Sequence, residues 1–525
     1  MTRLRRLLEG DIVAIAVIAG GAAVRLHYAL STYLNPDEAM HYATTAAPTW
    51  GEMYDRSRGQ AHPPLLPILQ RALMWIDDSE WMLRLPSVLL GVASIWLLYR
   101  WLDRARGRSA ALAALVFATC SPAMISAATE FRHSALIVFF TCAALVAHER
   151  LFESHANPRW RTWLTLSTLS LAGALLSHYS AAFVVTTFGL YSLLRLRQTR
   201  APRNLWLTWS GAQLGLLLLA AWSFFVHGSR YAVQVSVGGP GVAYLQYAYL
   251  GNQDPSVQDF VVRNWTALWS FLSGDRITGL IALGLFALGA LGCAVRRTPV
   301  RRLDLTVLLL TPFLLATVVG LLRLYPFGGI RHVTYLAAFA AGGFGIGTAW
   351  LLRDRERWLA ALALVLTPLW LAHVEPANSI RKMDRHFLEA AINFVRNEVP
   401  PEQPVFVDFQ TLRILDHWFR RSGPAEWSQP SPKVREVRIA GRRYLQANGI
   451  WAFRAGDLLP QLVPAALALG YRRGQPLWVL SVDWDNPTPF TEATPPQFIT
   501  RQLVFGTIRV VQLRIPPAPP PGTGS

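Results

Sequence analysis

Apolar stretches about as long as a bilayer crossing recur along most of this chain, and they limit its fold more than any single motif does. A helix needs about 20 largely apolar residues to cross the hydrocarbon core. Such stretches lie near residues 11–30, 82–101, 109–128, 133–150, 162–177, 180–195, 206–226, 277–295, 303–323, 333–352 and 357–374. Lipid offers backbone N–H and C=O groups no partners, so segments of this kind fold as helices. The expectation is a mainly α-helical polytopic membrane protein with about eleven spans. The segments at 162–177 and 180–195 are short and meet at Ser177-His178-Tyr179-Ser180, as a tight helical hairpin or as one broken helix.

Charge sets the orientation. Only 16% of the 525 residues are charged, against about 25% in soluble domains. The net charge of +18 does not point to nucleic acid, because arginine concentrates in short connectors at Arg100–Arg108, Arg195–Arg203, Arg296–Arg302 and Arg353–Arg357. That distribution is the positive-inside signature, and it puts the N-terminus in the cytoplasm. The opposite side then receives residues 31–80, Thr129–Arg132, residues 227–276, Arg323–Arg331 and everything after about 375. The reading is a multi-pass protein of the cytoplasmic (inner) membrane. Its first helix is retained, since no small-residue cleavage site follows it.

Residue usage removes further classes. Lysine occurs only at Lys382 and Lys433, so Schiff-base chemistry has almost no candidates. Cys120, Cys142 and Cys293 lie inside apolar stretches, as small buried hydrophobes do, and they form no disulfide framework or CxxC metal site.

The pattern changes near residue 375, which divides the chain into a membrane domain (1–375), an extracytoplasmic α/β domain (376–515) and a disordered Pro-rich tail (516–525). In the second domain Phe387–Val399 and Leu458–Leu469 have helical spacing. Pro404–Phe409, Leu477–Trp484 and Leu503–Ile515 read as strands. No GxGxxG, P-loop or HExxH occurs there, so no chemistry is assigned to it.

Two adjacent carboxylates stand just after the first span, in Asn35-Pro36-Asp37-Glu38-Ala39-Met40-His41-Tyr42. Carboxylates at a bilayer edge are costly to desolvate. One reading is structural: Asn35 caps a helix, Pro36 opens it and Glu38 completes a capping box. The other makes one carboxylate a general base, with its neighbour orienting or capping. Adjacent helical residues diverge by about 100°, so both are not expected to reach one atom. Further on, His62-Pro63-Pro64-Leu65-Leu66-Pro67 leads into Ile68–Ile76, too short to span, with Gln70 and Arg71 on one side, as in a helix lying in the interface.

On the same predicted side lie His41, Tyr42, His62, Arg84, Glu130, Arg132, His133, His178, Tyr179, Arg331 and His332. Each has a plain reading as well. Arg84 can anchor a helix end by snorkelling, Glu130 and Arg132 can pair with each other, and His178 can be a polar break between helices. Tyr325-Pro326-Phe327-Gly328-Gly329 ahead of Arg331-His332 reads as a glycine turn that offers backbone N–H groups to an anion. An acidic base with several cationic groups suits displacement of a phosphate from a lipid-linked donor.

These motifs resemble the GT-C class of polyprenyl-phosphate-sugar-dependent glycosyltransferases, in its bacterial branch similar to protein O-mannosyltransferases (glycosyltransferase 39-like). The resemblance covers roughly residues 1–375. It rests on Asn35-Pro36-Asp37-Glu38 with His41-Tyr42, His62-Pro63-Pro64-Leu65, Arg84-Leu85-Pro86-Ser87, Glu130-Phe131-Arg132, Ser177-His178-Tyr179 and the segment from Tyr325 to His332. It implies that Asp37, with Glu38 beside it, activates the acceptor. It also implies that Arg132, Arg331 and His332, with Arg84, hold the donor phosphate. His41, Tyr42, His62, Glu130, His178 and Tyr179 become substrate-binding candidates. Relatives commonly read Arg then Tyr where this chain has Arg132-His133.

The expected partners are a lipid-linked sugar donor, an extracytoplasmic glycan, lipid or protein acceptor, and the bilayer. No cofactor is expected, and no DxD or metal-spaced histidine cluster indicates a divalent metal. The rival reading is a polytopic transporter or flippase. Against it, spans 109–128, 206–226 and 277–295 contain no Asp, Glu, Lys or Arg, and no repeat relates the two halves. A third reading is a catalytically inactive assembly subunit.

Overall fold

A computed structural model describes residues 2–517, apart from 61, 154–158, 230–242, 252–253, 296–301, 353–354, 378–382, 424, 455–457, 485–489 and 493. From residue 518 onward the predicted Pro-rich tail lies outside the described residues. Most of the Arg296–Arg302 connector and the start of the Arg353–Arg357 connector do as well.

In chain order the helices are α1 (Thr2–Ser31), α2 (Pro36–Thr45), α3 (Trp50–Ser57), α4 (Leu65–Leu73), α5 (Glu80–Arg106), α6 (Arg108–Cys120), α7 (Pro122–Thr129) and α8 (His133–Glu153). Next come α9 (Trp160–Ser177), α10 (Ala181–Gln198), α11 (Arg203–Ser223), α12 (Val257–Ser273), α13 (Arg276–Val295), α14 (Leu303–Leu321), α15 (Leu336–Leu351) and α16 (Glu356–His373). The remainder are α17 (Arg385–Glu398), α18 (Phe409–Trp418) and α19 (Leu458–Ala468). The strands are β1 (Val405–Val407), β2 (Glu426–Ser431), β3 (Val434–Ile439), β4 (Arg442–Ala447), β5 (Pro476–Ser481), β6 (Ile499–Phe505) and β7 (Ile508–Arg514).

Two compact units result, one of Met1–Leu30 and Ala47–Ala377, the other of Ser31–Ala46 and Asn378–Ser525. The break near residue 377 falls where the sequence changes character. One departure from the expected division stands out: residues 31–46, with the acidic pair, fold with the C-terminal unit.

In the first unit a helix stands at each of the eleven segments read as spans. Among the described residues, six helices are long and apolar enough to cross a membrane, or seven if one bent pair is a single span. That pair is α6 and α7, read from sequence as one stretch and bent here by 61°. The cause is Pro122: a proline disfavours helical geometry in the residue before it, and Ser121 is extended with φ −61° and ψ 120°. The break orphans the last carbonyls of α6. Arg25 of α1 serves them, donating from Nη1 to Thr119 O (3.2 Å) and from Nη2 to Ala118 O (3.3 Å). A buried cation at a helix C-terminus also suits the helix dipole. At the other break, α9 and α10 are separate helices parted by an extended His178 (φ −157°, ψ 137°).

This unit buries an apolar core and also exposes many large apolar side chains. Leu214, Leu217, Leu218, Ile281, Leu314 and Val365 face outward, as lipid-facing side chains do, while small residues line the helix contacts. Where α13 meets α15, a Cβ on Gly289 would stand 2.1 Å from Gly343 O, and one on Gly347 would stand 1.9 Å from Leu285 O. These helices touch through backbone, so glycine is required. Gly347→Val should cost about 1–3 kcal/mol or more by overpacking. It should lower the unfolding temperature of the detergent-purified protein, and an unchanged temperature would refute this close approach.

A buried ionic knot ties the far end of α8 to α10 and α14. Arg302 Nη2 lies 3.3 Å from Glu149 and 3.0 Å from Asp304, Arg195 lies 3.7 Å from Asp304, and Tyr191 donates to Glu149 at 3.1 Å. α4 turns Leu66, Pro67 and Gln70 inward and Ile68 and Leu69 outward. An outward apolar face suits a helix lying at a membrane surface.

The second unit is built on a seven-stranded sheet in the order β2-β3-β4-β1-β5-β7-β6. β1 runs parallel to β4 and β5, pairing Val405 with Tyr444 and with Trp478, and the remaining pairs are antiparallel. The expected strands and helices are present. β2–β4 and α18 were not anticipated, because β3 carries Arg435, Glu436 and Arg438 among its apolar residues. Those charges are partnered in the sheet: Arg443 grips both oxygens of Glu436 at 2.9 Å. The corner from β1 into α18 is pinned by Asp408, which accepts from Thr411 N (2.7 Å), Ser481 Oγ (2.7 Å) and Phe453 N (3.3 Å). Burial raises its carboxyl above the usual range, against these hydrogen bonds.

Candidate functional site

The acidic helix α2 belongs to the second unit. Asn35 is its N-cap: Glu38 N donates to Asn35 Oδ1 and Asn35 N to Glu38 Oε2, both at 2.9 Å. Pro36 occupies the first turn, where its missing N–H costs nothing. Glu38, fully buried, thus closes a complete capping box. Asp37 takes no part in that box and lies 9% exposed.

Helical spacing sorts the rest of α2. Asp37 and His41 lie within about 40° of one another around the axis, while Glu38, Ala39 and Tyr42 cluster about 100–200° from Asp37. Ala39, with Tyr33 just before the helix, joins the core of the second unit beside Met383, Leu388, Leu412 and Leu415. Tyr33 N donates to Met383 O (3.2 Å), and Thr32 forms an antiparallel bridge with Asp384. Tyr42 stands edge to face with His417 of α18, ring centroids 4.5 Å apart at 82°.

In the first unit, residues far apart in sequence meet at the ends of four elements. His62 precedes α4, His133 opens α8, His178 parts α9 from α10, and His332 sits in the short helical turn Arg331–Val333. The His62 ring lies 4.2 Å from His133, 4.8 Å from His178 and 6.3 Å from His332. Tyr325 approaches His178 with its hydroxyl 3.5 Å from Nδ1. Among the described residues, no group of His, Cys, Asp and Glu side chains is arranged to hold a metal ion.

His178 has a defined tautomer. Ser180 N donates to its Nδ1 (3.2 Å), and Ser180 Oγ lies 2.7 Å from the same atom. A backbone N–H can only donate, so Nδ1 is unprotonated and the proton sits on Nε2. Burial, with the nearby Arg132 guanidinium, pushes its pKa down to about 3, so the ring is neutral.

Arg132 Nη1 lies 3.5 Å from Glu130 Oε2, and both side chains are buried. The pairing foreseen as the plain reading is therefore present. The hydroxyl of Tyr179 is buried with no hydrogen-bond partner among the described residues. Arg84 does not snorkel: it is fully buried and donates to Ala29 O in the last turn of α1 (3.1 Å). Gly328 and Gly329 are explained by close packing, since a Cβ would stand 2.4 Å from Asn264 Oδ1 at the first and 2.5 Å from Ala267 O at the second. Gly328 also needs φ of 139°. That packing onto α12 fixes the segment leading to Arg331 and His332. Sequence reasoning missed Arg25 and His417. Arg25 was visible as a charge inside an apolar span, whereas His417 lay in a helix that had not been read.

A body of apolar helices with four histidines gathered at helix ends is carried on one chain with an α/β domain, and among known proteins this chain resembles GT-C glycosyltransferases. Residues 61–225 match the family model described as dolichyl-phosphate-mannose-protein mannosyltransferase. That segment holds His62, Arg84, Glu130, Arg132, His133, His178 and Tyr179. In fold the chain is similar to the archaeal oligosaccharyltransferase AglB from Archaeoglobus fulgidus, solved with an inhibitory peptide and a dolichol-phosphate, at TM-score 0.50 and 12% identity over 89% of this chain and 69% of that one. ArnT from Cupriavidus metallidurans bound to undecaprenyl phosphate matches at TM-score 0.49 and 13% identity, over 95% and 97%. The S. cerevisiae protein O-mannosyltransferase Pmt1-Pmt2 complex bound to the sugar donor matches at TM-score 0.34 and 18% identity, over 44% of this chain. The chain thus spans about a third (34%) of that protein's chain. No curated protein matches by sequence.

Proposed function

We propose that this protein is an inverting glycosyltransferase that moves a sugar from a polyprenyl-phosphate-linked donor to an extracytoplasmic glycan, lipid or protein acceptor. The reaction takes place at the outer face of the cytoplasmic membrane, with the N-terminus inside and the C-terminal domain outside. Arg132, Arg331 and His332 hold the donor phosphate, charge-assisted and shielded from water. Arg84 supports them by clamping the end of α1. His62, His178 and Tyr179 contact the donor sugar or its phosphate, and Glu130 orients Arg132. His41, on the Asp37 side of α2, contacts the acceptor, while Tyr42 packs against His417.

Asp37 removes the proton from the acceptor hydroxyl or amine. The acceptor heteroatom then bonds to the anomeric carbon from the face opposite the phosphate. The bond from that carbon to the phosphate oxygen breaks, and polyprenyl phosphate leaves with the electron pair. Glu38 holds the helix start that orients Asp37. The observation that carries this reading is the gathering of His62, His133, His178 and His332, with Arg132 at hand, largely from the segment matching the mannosyltransferase family.

The test uses sealed membrane vesicles of both orientations, supplied with radiolabelled polyprenyl-phosphate sugars and a panel of acceptors. Label should reach an acceptor only when the acceptor is on the extracytoplasmic side. No transfer from any lipid-linked donor in either orientation, by protein shown to be folded, would overturn the proposal.

A further inference from the structure

We infer that the C-terminal α/β domain is the seat of the acidic helix, and that His417 is the positioning residue that fixes the bearing of Asp37. The inference rests on the proposed function for its consequence in turnover, but its geometry stands alone. Residues 31–46 are separated from 378–525 by more than 300 positions, yet the two segments form one compact unit. Before α2, the chain is tied by the Thr32–Asp384 bridge and by Tyr33 N to Met383 O. Within it, Ala39 is in the domain core. Near its end, Tyr42 meets the buried His417 ring.

These anchors lie on the side of α2 away from Asp37. A ten-residue helix held at its start and core still has freedom to roll about its axis. A contact on Tyr42, five residues beyond Asp37, limits that roll, because rotation at one end of a helix is rotation throughout it. His417 is itself fixed, since α18 is capped by Asp408, and Asp408 is bonded to Ser481 on β5. A chain of rigid contacts thus runs from the sheet through α18 to the acidic helix. Charge is not needed for it: the edge of one ring against the face of another suffices.

Three full-length proteins test this: the parent, His417→Ala and His417→Phe, each followed by amide hydrogen exchange and by transfer kinetics with a lipid-linked sugar. In His417→Ala, exchange over residues 36–45 should rise by about tenfold or more, with α9 and α10 unaffected as internal controls. kcat should fall by a similar factor while KM for the lipid donor stays within about twofold. His417→Phe keeps a ring and should restore both. If His417→Ala does not fold, Tyr42→Leu at the other side of the contact should give the same local rise in exchange. Unaltered exchange over 36–45 overturns the inference whatever the turnover. A raised donor KM with kcat intact overturns it too. An inactive parent protein would strike at the proposed function, and exchange would still decide the seat.

Discussion

Asp37→Asn should lower sugar transfer by about 100-fold or more, with folding close to normal. A positioned general base contributes about 10²–10⁴-fold, and an amide of the same shape cannot accept the proton. The structure makes the substitution a clean test. Helix α2 is capped by Asn35 and Glu38, which satisfy each other's backbone groups, so Asp37 lies outside the cap. Its charge near the helix N-terminus is worth typically about 0.3–1 kcal/mol, and an amide of the same shape can keep its hydrogen bonds as acceptor. Glu38→Ala is the counterpart. It removes one half of the box, should cost about 1 kcal/mol, and should slow transfer less than Asp37→Asn. The measurements are kcat with a lipid-linked donor and the unfolding temperature of each purified protein. Well-folded Asp37→Asn protein with full activity would pass the role of base to Glu38 or to another group.

Arg132→Gln should reduce kcat/KM for the lipid donor by about 10²–10³-fold, the scale seen when one preorganised charge stabiliser is removed. Loss of activity by itself would not establish that role, because Arg132 also pairs with buried Glu130 at 3.5 Å. Breaking a buried pair from one side leaves an uncompensated charge and costs about 3–5 kcal/mol, so the single variant should also be destabilised. The double variant Glu130→Gln, Arg132→Gln separates the two effects. Two neutral amides can bond to each other, so much of the stability should return. Transfer should remain low if the guanidinium serves the donor phosphate, and should recover if Arg132 serves only Glu130. Such non-additivity is what a double-mutant cycle measures.

His178 and Arg84 show why the plain and functional readings of a residue cannot be separated by sequence. His178 is a polar break, as its position between two apolar stretches suggested, and also a neutral ring tilted against His62, with its proton placed by Ser180. Arg84 sits at a helix end, where snorkelling is the ordinary expectation, but it is buried and serves a carbonyl of α1. The glycines before Arg331 suggested an anion nest. Their tight approach to Asn264 and Ala267 shows that packing alone demands them.

Properties set by neighbours along the chain could be read from the residues. Apolar length placed the helices, since lipid forces backbone groups to bond within a segment. Asn35, Pro36 and Glu38 marked the start of α2, since a cap involves residues only three apart. What needed the tertiary structure were relations between distant residues. Among these are the 61° bend at Pro122 stabilised by Arg25, the meeting of four histidines from positions 62 to 332, and the folding of residues 31–46 onto the C-terminal domain. The physical reason is that packing and long-range hydrogen bonds depend on which surfaces meet, and one chain's local pattern is compatible with many such meetings. The acidic helix was legible as a helix; only the fold determined which domain carries it.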